Sequence, residues 1–439
     1  MLQGPFLTEI DSRARIKGSR DPLGAQTVWT ALGRRVVGNL TTVSSSVRDF
    51  TVLLVGSALL ERRGPDADFA GDVDAFLRWE QLAGYVRHRK LQQRFRGVER
   101  VSRTLLESTR VALSAGREHQ ILGNQRMYGI WGLYIGPARA SGLLHLDAVR
   151  LADEAGGPEA VKAFVEKAYS DALNPKSRIG QQFLDQLMRK QLLRFDIDRD
   201  SSGIVDALGK YLRPSVTPRE REFYRFHLLH GGRENELMGL QPILAELIEG
   251  LPGDDEFRWS PAVVGGLARV AEKRGHQGTE LAKRLQDILA CESVLAPATA
   301  LFAYLLTLEG RQLGHIATRL QEQWGGSNPS VRADEFTNIA KTVSALPKEL
   351  STSWCALADC LRAGQYAEMV QLLVQHNALV MSERGGAAWV ELDRGRLRVK
   401  LKEEAGYLPE RKELPGLWRF PYFLESLRQV AIGLREVKK

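Results

Sequence analysis

Apolar residues recur at three- and four-residue spacing through most of this 439-residue chain, and they alternate at period two in one place only. The first spacing lays a stripe along one side of an α-helix, whereas the second covers one face of a β-strand. Helical spacing runs near 41–62, 72–114, 146–154, 158–173, 180–195, 217–230, 235–250, 261–275, 279–292, 296–310, 334–345, 352–375 and 420–436. The alternating stretch is Ala388–Asp393 and Leu397–Leu401 on either side of Gly395, which is a hairpin signal. Together these patterns predict a mainly α, multi-helical fold with a small C-terminal β-hairpin plus helix. Helix ends can be read too. Thr217-Pro218-Arg219-Glu220 offers a capping hydroxyl, a proline for the first turn and a glutamate for a capping box. Gly231-Gly232 and Gly325-Gly326 suit helix stops.

A chain of this length is expected to hold two to four domains at roughly 100–200 residues each. With 44% apolar and 26% charged residues, it has the makings of packed cores rather than of a disordered tail. The expected segments are a basic helical region over 1–155, a helical middle over 156–250, a second helical region over 251–384 and the hairpin-plus-helix module over 385–439. Leu251-Pro252-Gly253-Asp254-Asp255 is the most linker-like break. Cys291, Cys355 and Cys360 are too few and too irregularly spaced for a disulfide framework, which favours a reducing compartment. The first residues carry acids at Glu9 and Asp11 and lack the apolar run of a secretory signal. The apolar stretch TVLLVGSALL at 51–60 is half of the roughly 20 residues a membrane span needs, so it reads as a buried helix. A cytoplasmic protein with no membrane partner is expected.

Charge is uneven. Residues 1–150 hold 22 basic and 14 acidic side chains, while the rest balances at 39 of each. A positive field confined to one third of the chain points to a polyanion or an acidic partner. If Arg87–Arg110 forms one helix, Leu91, Phe95, Val98 and Leu105 share a narrow arc. Arg89, Arg96, Arg100 and Arg103 then gather opposite, with Arg110 at the margin. Such a stripe would run about 31 Å and could follow a nucleic-acid backbone, because arginine forks suit phosphates. Gly97 is the position that would break it. The glycine- and aromatic-rich run that follows, bracketed by Arg126 and Arg139, could stack single-stranded bases or form a tight inter-helix joint. Seven arginines are therefore the candidate nucleic-acid contacts: Arg89, Arg96, Arg100, Arg103, Arg110, Arg126 and Arg139.

Catalytic motifs do not assemble. No phosphate loop, dinucleotide fingerprint, nucleophile elbow or H-E-x-x-H occurs in the sequence. Asp66, Asp68, Asp72 and Asp74 could bind a divalent cation, and His227 with His230, Glu234 and Glu236 is the one metal-like cluster. Either neighbourhood would serve a metal-dependent nuclease subunit. Each also has a plainer reading, as helix-capping acids and as structural histidines. Glu391, Asp393, Lys400 and Lys402 of the hairpin fall in the wrong order for a nuclease set. No cofactor and no metal is expected.

Asp21-Pro22-Leu23-Gly24 running into Gly33–Val43, taken with the C-terminal hairpin, Trp418 and Tyr422-Phe423-Leu424, resembles uncharacterised, mainly helical proteins of bacterial antiviral defence islands. The resemblance covers about a quarter of the chain and includes no catalytic motif. It implies a partner within a multi-protein complex. The resulting expectation is a non-catalytic component of a prokaryotic defence assembly that contacts DNA backbone or a DNA-handling partner. The rivals are a metal-dependent nuclease subunit and a pure protein scaffold.

Overall fold

A helix persists where an apolar stripe meets a core and where its end groups find partners. The computed structural model describes residues 21–63, 68–153, 157–232 and 239–435. Helices dominate it, and strands are confined to two short antiparallel pairs. The fold is mainly α. The capping box forms as its residues dictate: Thr217 accepts from the Glu220 amide at 3.2 Å, and Glu220 accepts from the Thr217 amide at 2.8 Å.

The chain divides into two compact units. One gathers Asp254–Tyr422 with the described residues up to Val36, and the other gathers Val37–Gly253 with the chain from Phe423 onwards. The division at Gly253 lies within the Leu251–Asp255 stretch. Residues 37–155 and 156–250, separate segments by sequence, share one unit, and the hairpin and final helix belong to different ones.

In the first unit the long helix Gly275–Leu305 packs against Pro261–Glu272, Ala333–Ala340, Lys348–Ala363 and Ala25–Arg34. By length and composition it could cross a membrane, yet 67% of its most apolar window is buried inside the protein. On its buried side, Glu292 accepts from the Phe420 amide at 3.2 Å and from the Tyr422 hydroxyl at 2.7 Å. The turn at Asp21–Gly24 is seated on the helix Tyr366–Glu383. His376 donates to the Leu23 carbonyl at 2.8 Å, Asn377 donates to that of Pro22 at 2.9 Å, and Gly24 takes φ 65. The hairpin pairs Val390–Asp393 with Arg396–Val399 around Arg394 and Gly395, both at positive φ as a tight two-residue turn requires. Its second strand is further covered by Gly310–Leu313, whose backbone bonds to Gly395 and Leu397.

In the second unit the helix Val47–Glu61 packs against Phe69–Leu91, Ile130–Ala140 and Val161–Ala168. Every residue from 51 to 60 is buried. Gly56 lets the Phe69–Leu91 helix close in, since a Cβ there would stand 2.6 Å from the Phe76 ring. Trp79 donates to the Val52 carbonyl at 2.8 Å. Asn39 and Gln241 bond each other and the carbonyls of Leu228 and neighbours, satisfying the end of the π-turn Arg225–Leu229. The final helix, Leu424–Leu434, packs on this π-turn and on Leu240–Glu249.

Three helical expectations need correction: residues 146–153 form no helix, and Leu151 instead bridges Leu144. Arg110–Ser114 and Leu192–Asp196, placed by sequence at the ends of helices over 72–114 and 180–195, form an antiparallel strand pair instead. Their partners lie some eighty residues apart, so no local turn announces them, and Val111 and Leu113 alternate inward as half-buried strands do.

Candidate nucleic-acid interface

The single helix expected over Arg87–Arg110 does not form. Phe69–Leu91 ends in a left-handed Gln92 at φ 50, and a new helix, Val98–Glu107, starts after Gly97 at φ 91. Phe95 turns back onto Gly84 and under the Arg87 guanidinium, 4.9 Å from its ring centre. Gly97 is held against Ile121, whose carbonyl oxygen would stand 2.7 Å from a Cβ. The aromatic anchor and the glycine together outweigh the helical register, so a straight arginine stripe is ruled out.

The seven candidate arginines part company. Arg89 forks onto Asp198 at 2.8 and 2.6 Å. Arg100 donates to the carbonyls of Arg117 and Glu118, both at 3.3 Å, and so ties Val98–Glu107 to the loop that follows the first strand. Arg110 opens that strand opposite Asp196 and is exposed. Arg139 is half-buried on Ile130–Ala140, and its Nε finds no acceptor. Arg96, Arg103 and Arg126 are exposed and have no carboxylate partner among the described residues. Two further arginines in the same state, Arg94 and Arg117, escaped the stripe argument. The bond from Arg100 to the Arg117 carbonyl ties the segment bearing Arg117 to the helix bearing Arg103, and nothing in Ser114-Ala115-Gly116-Arg117 signals it.

The loop presenting Arg117 and Arg126 is fixed from beneath by buried side chains. Gln81 exchanges hydrogen bonds with the Ser114 backbone at 2.8 and 3.0 Å. Gln120 donates to the Ala115 carbonyl at 2.7 Å and accepts from the Gln125 amide at 3.0 Å. Glu80 accepts from the Ile130 amide at 2.8 Å and from Gln125 at 3.0 Å, and burial pushes its carboxyl up to about 7. Gly129 and Gly132 permit the tight crossing at the joint, since a Cβ on Gly132 would stand 2.2 Å from the Met127 carbonyl. A polar pocket of about 260 Å³ opens there, lined by Arg117, Gln120, Asn124, Arg126 and Asp74.

Beside Arg126 stand exposed flat side chains. Phe69 is 62% exposed and Tyr128 56%. The Arg126 guanidinium lies 5.9 Å from the Phe69 ring centre, and Phe69 meets Trp131 edge-on at 6.0 Å. An exposed ring beside an unpaired arginine suits a phosphate flanked by a stacked base.

The metal-like neighbourhoods are engaged in part, though Nε2 of His227 and of His230 is buried without a hydrogen-bond partner among the described residues. Asp68 caps Phe69–Leu91 by accepting from Gly71, and Asp72 pairs with Arg63. Buried His227 bonds the Ser141 carbonyl at 2.9 Å, and burial pushes it down to about 4. Asp66, Glu234 and Glu236 lie outside the described residues. Among those described, no three His, Cys, Asp or Glu side chains gather to hold a metal. In the hairpin, Glu391 pairs with Lys400. No protein-family model matches the chain, and no curated protein or solved structure matches it either.

Proposed function

We propose that this protein is a non-catalytic subunit of a prokaryotic defence assembly that grips a nucleic-acid backbone without reading its sequence. The grip is assigned to Arg96, Arg103, Arg117 and Arg126, with Arg94 at its edge and Phe69 and Tyr128 as stacking surfaces. The observation that supports it is a set of exposed arginines without carboxylate partners among the described residues, two of which, Arg117 and Arg126, sit on a segment anchored by four buried side chains, with Arg126 beside the exposed Phe69. Seven arginines face only three glutamates over residues 94–126, so the local field is positive. Anchoring lowers the ordering cost of binding. The assembly part of the reading rests on the resemblance of residues 21–43 and of the C-terminal region to defence-island proteins. A neighbouring helicase, ATPase or nuclease gene would support it, and an isolated gene would weaken it.

The test is fluorescence anisotropy with labelled single-stranded and duplex DNA of unrelated sequences at low salt. Binding of similar strength across sequences, with no Mg²⁺- or Mn²⁺-dependent cleavage, is the expected result. Undetectable binding to both forms would leave the scaffold reading, and metal-dependent cutting lost on Asp72→Ala/Asp74→Ala would favour the nuclease.

A further inference from the structure

A second basic feature lies in the same unit, built from other elements. A pocket of about 480 Å³ is lined by Lys167, Lys210, Arg213 and Arg219, by Tyr211 and by the acids Asp171 and Glu220. That volume is typical of small-ligand sites, which run roughly 300–1,000 Å³.

Its charges are unequally committed. Glu220 belongs to Arg48 at 2.7 Å and also caps its own helix. Arg219 forks onto Glu159, one arm at 2.8 Å. Lys210 meets Asp171 only at 3.5 Å, with both side chains more than half exposed. Lys167 and Arg213 are exposed and have no carboxylate partner among the described residues. The pocket thus presents two uncommitted cations and one loose pair, Lys210 with Asp171, so cations outnumber loosely held acids three to one.

The wall is rigid. Arg48 is buried and donates to the Arg213 carbonyl at 2.6 Å and the Ser215 carbonyl at 2.7 Å, which fixes the segment carrying Arg213. Tyr169, hydrogen-bonded to Glu220 at 3.0 Å, braces the half-buried Tyr211 ring edge-on at 5.3 Å. An arginine on a held backbone segment, two exposed lysine ammoniums and a braced aromatic wall are what a phosphate attached to a flat or apolar body needs.

We infer that this pocket binds a small phosphomonoester of nucleotide size, its phosphate held by Lys167, Lys210 and Arg213 and its body against Tyr211. This site is independent of the Arg96–Arg126 surface. The experiment is isothermal titration calorimetry of the full chain with AMP, with pyrophosphate, with adenosine, and with a 5′-phosphorylated oligonucleotide as competitor. AMP and pyrophosphate should bind, and adenosine should bind at least about tenfold more weakly. Lys167→Gln/Arg213→Gln should weaken AMP by about tenfold or more, because two charge-assisted contacts are lost. Its melting temperature should stay at the wild-type value, and Arg96→Gln/Arg103→Gln/Arg117→Gln should bind AMP like wild type. Equal binding of adenosine and AMP, retention of AMP binding by the double variant, or binding of the oligonucleotide alone would each overturn the proposal. So would the absence of any heat with AMP and pyrophosphate at millimolar concentration.

Discussion

Glu80 holds the arginine-bearing loop by two hydrogen bonds while carrying a carboxyl that burial pushes up to about 7. The unfolded chain gives up this proton near 4.5, so between those values the folded state binds the extra proton. This group's contribution to stability therefore falls as pH rises through that window. Gln keeps an acceptor and cannot ionise. Glu80→Gln should gain on wild type from pH 5 to pH 8, by on the order of 2–3 kcal/mol in urea denaturation. Glu292 acts in the same direction and His227 and His376 in the opposite one, but the difference between the two proteins cancels them. An unchanged difference at the two pH values would contradict the buried-acid account. Gly97 is a second residue-scale test. Its φ of 91 and the nearby Ile121 carbonyl make Gly97→Ala destabilising by roughly 1–3 kcal/mol, read from the urea midpoint. The sequence marks Gly97 as a possible break. It could not show that Phe95 folds back on Gly84, because that contact depends on the third dimension.

At the scale of elements, the legible parts are those whose signals are local. The capping box at Thr217 and the hairpin around Gly395 are specified within a few residues each. The strand pair of Arg110–Ser114 with Leu192–Asp196 is not, since each strand is five residues long and its partner is remote. The final helix shows the same split. Its amphipathic pattern is plain in the sequence, but its docking on Leu240–Glu249 is not. Leu424, Leu427, Val430 and Leu434 are all buried there, and Arg428 donates to the Pro252 carbonyl at 2.7 Å. Ending the chain after Tyr422 should therefore lower the melting temperature by several degrees or cause aggregation, as scanning calorimetry and light scattering would show. A truncated protein that melts like the full chain would mean this helix contributes nothing to its unit.

For the whole molecule, the basic third was visible from charge counting, but its usable surface was not. Arg89 is neutralised by Asp198, more than a hundred residues away, and Arg100 is spent on backbone carbonyls. Arg117 instead joins the surface from an unpatterned loop. Ion pairs between distant residues decide which arginines stay free, and periodicity cannot report them. The long helix Gly275–Leu305 teaches a related lesson, since composition alone does not separate a buried core helix from a span.

Salt-dependent DNA binding by Arg96→Gln/Arg103→Gln/Arg117→Gln tests the central claim most directly. Gln preserves helix propensity at Arg103, the one helical position of the three, and leaves Arg100 and the buried anchors intact. Each phosphate contact releases counterions, so the log–log salt slope should shrink by up to about three and affinity should fall similarly on unrelated sequences. The melting temperature should barely move, because these side chains are exposed and unpaired. Wild-type affinity and an unchanged slope in the triple variant would show that this surface does not touch nucleic acid.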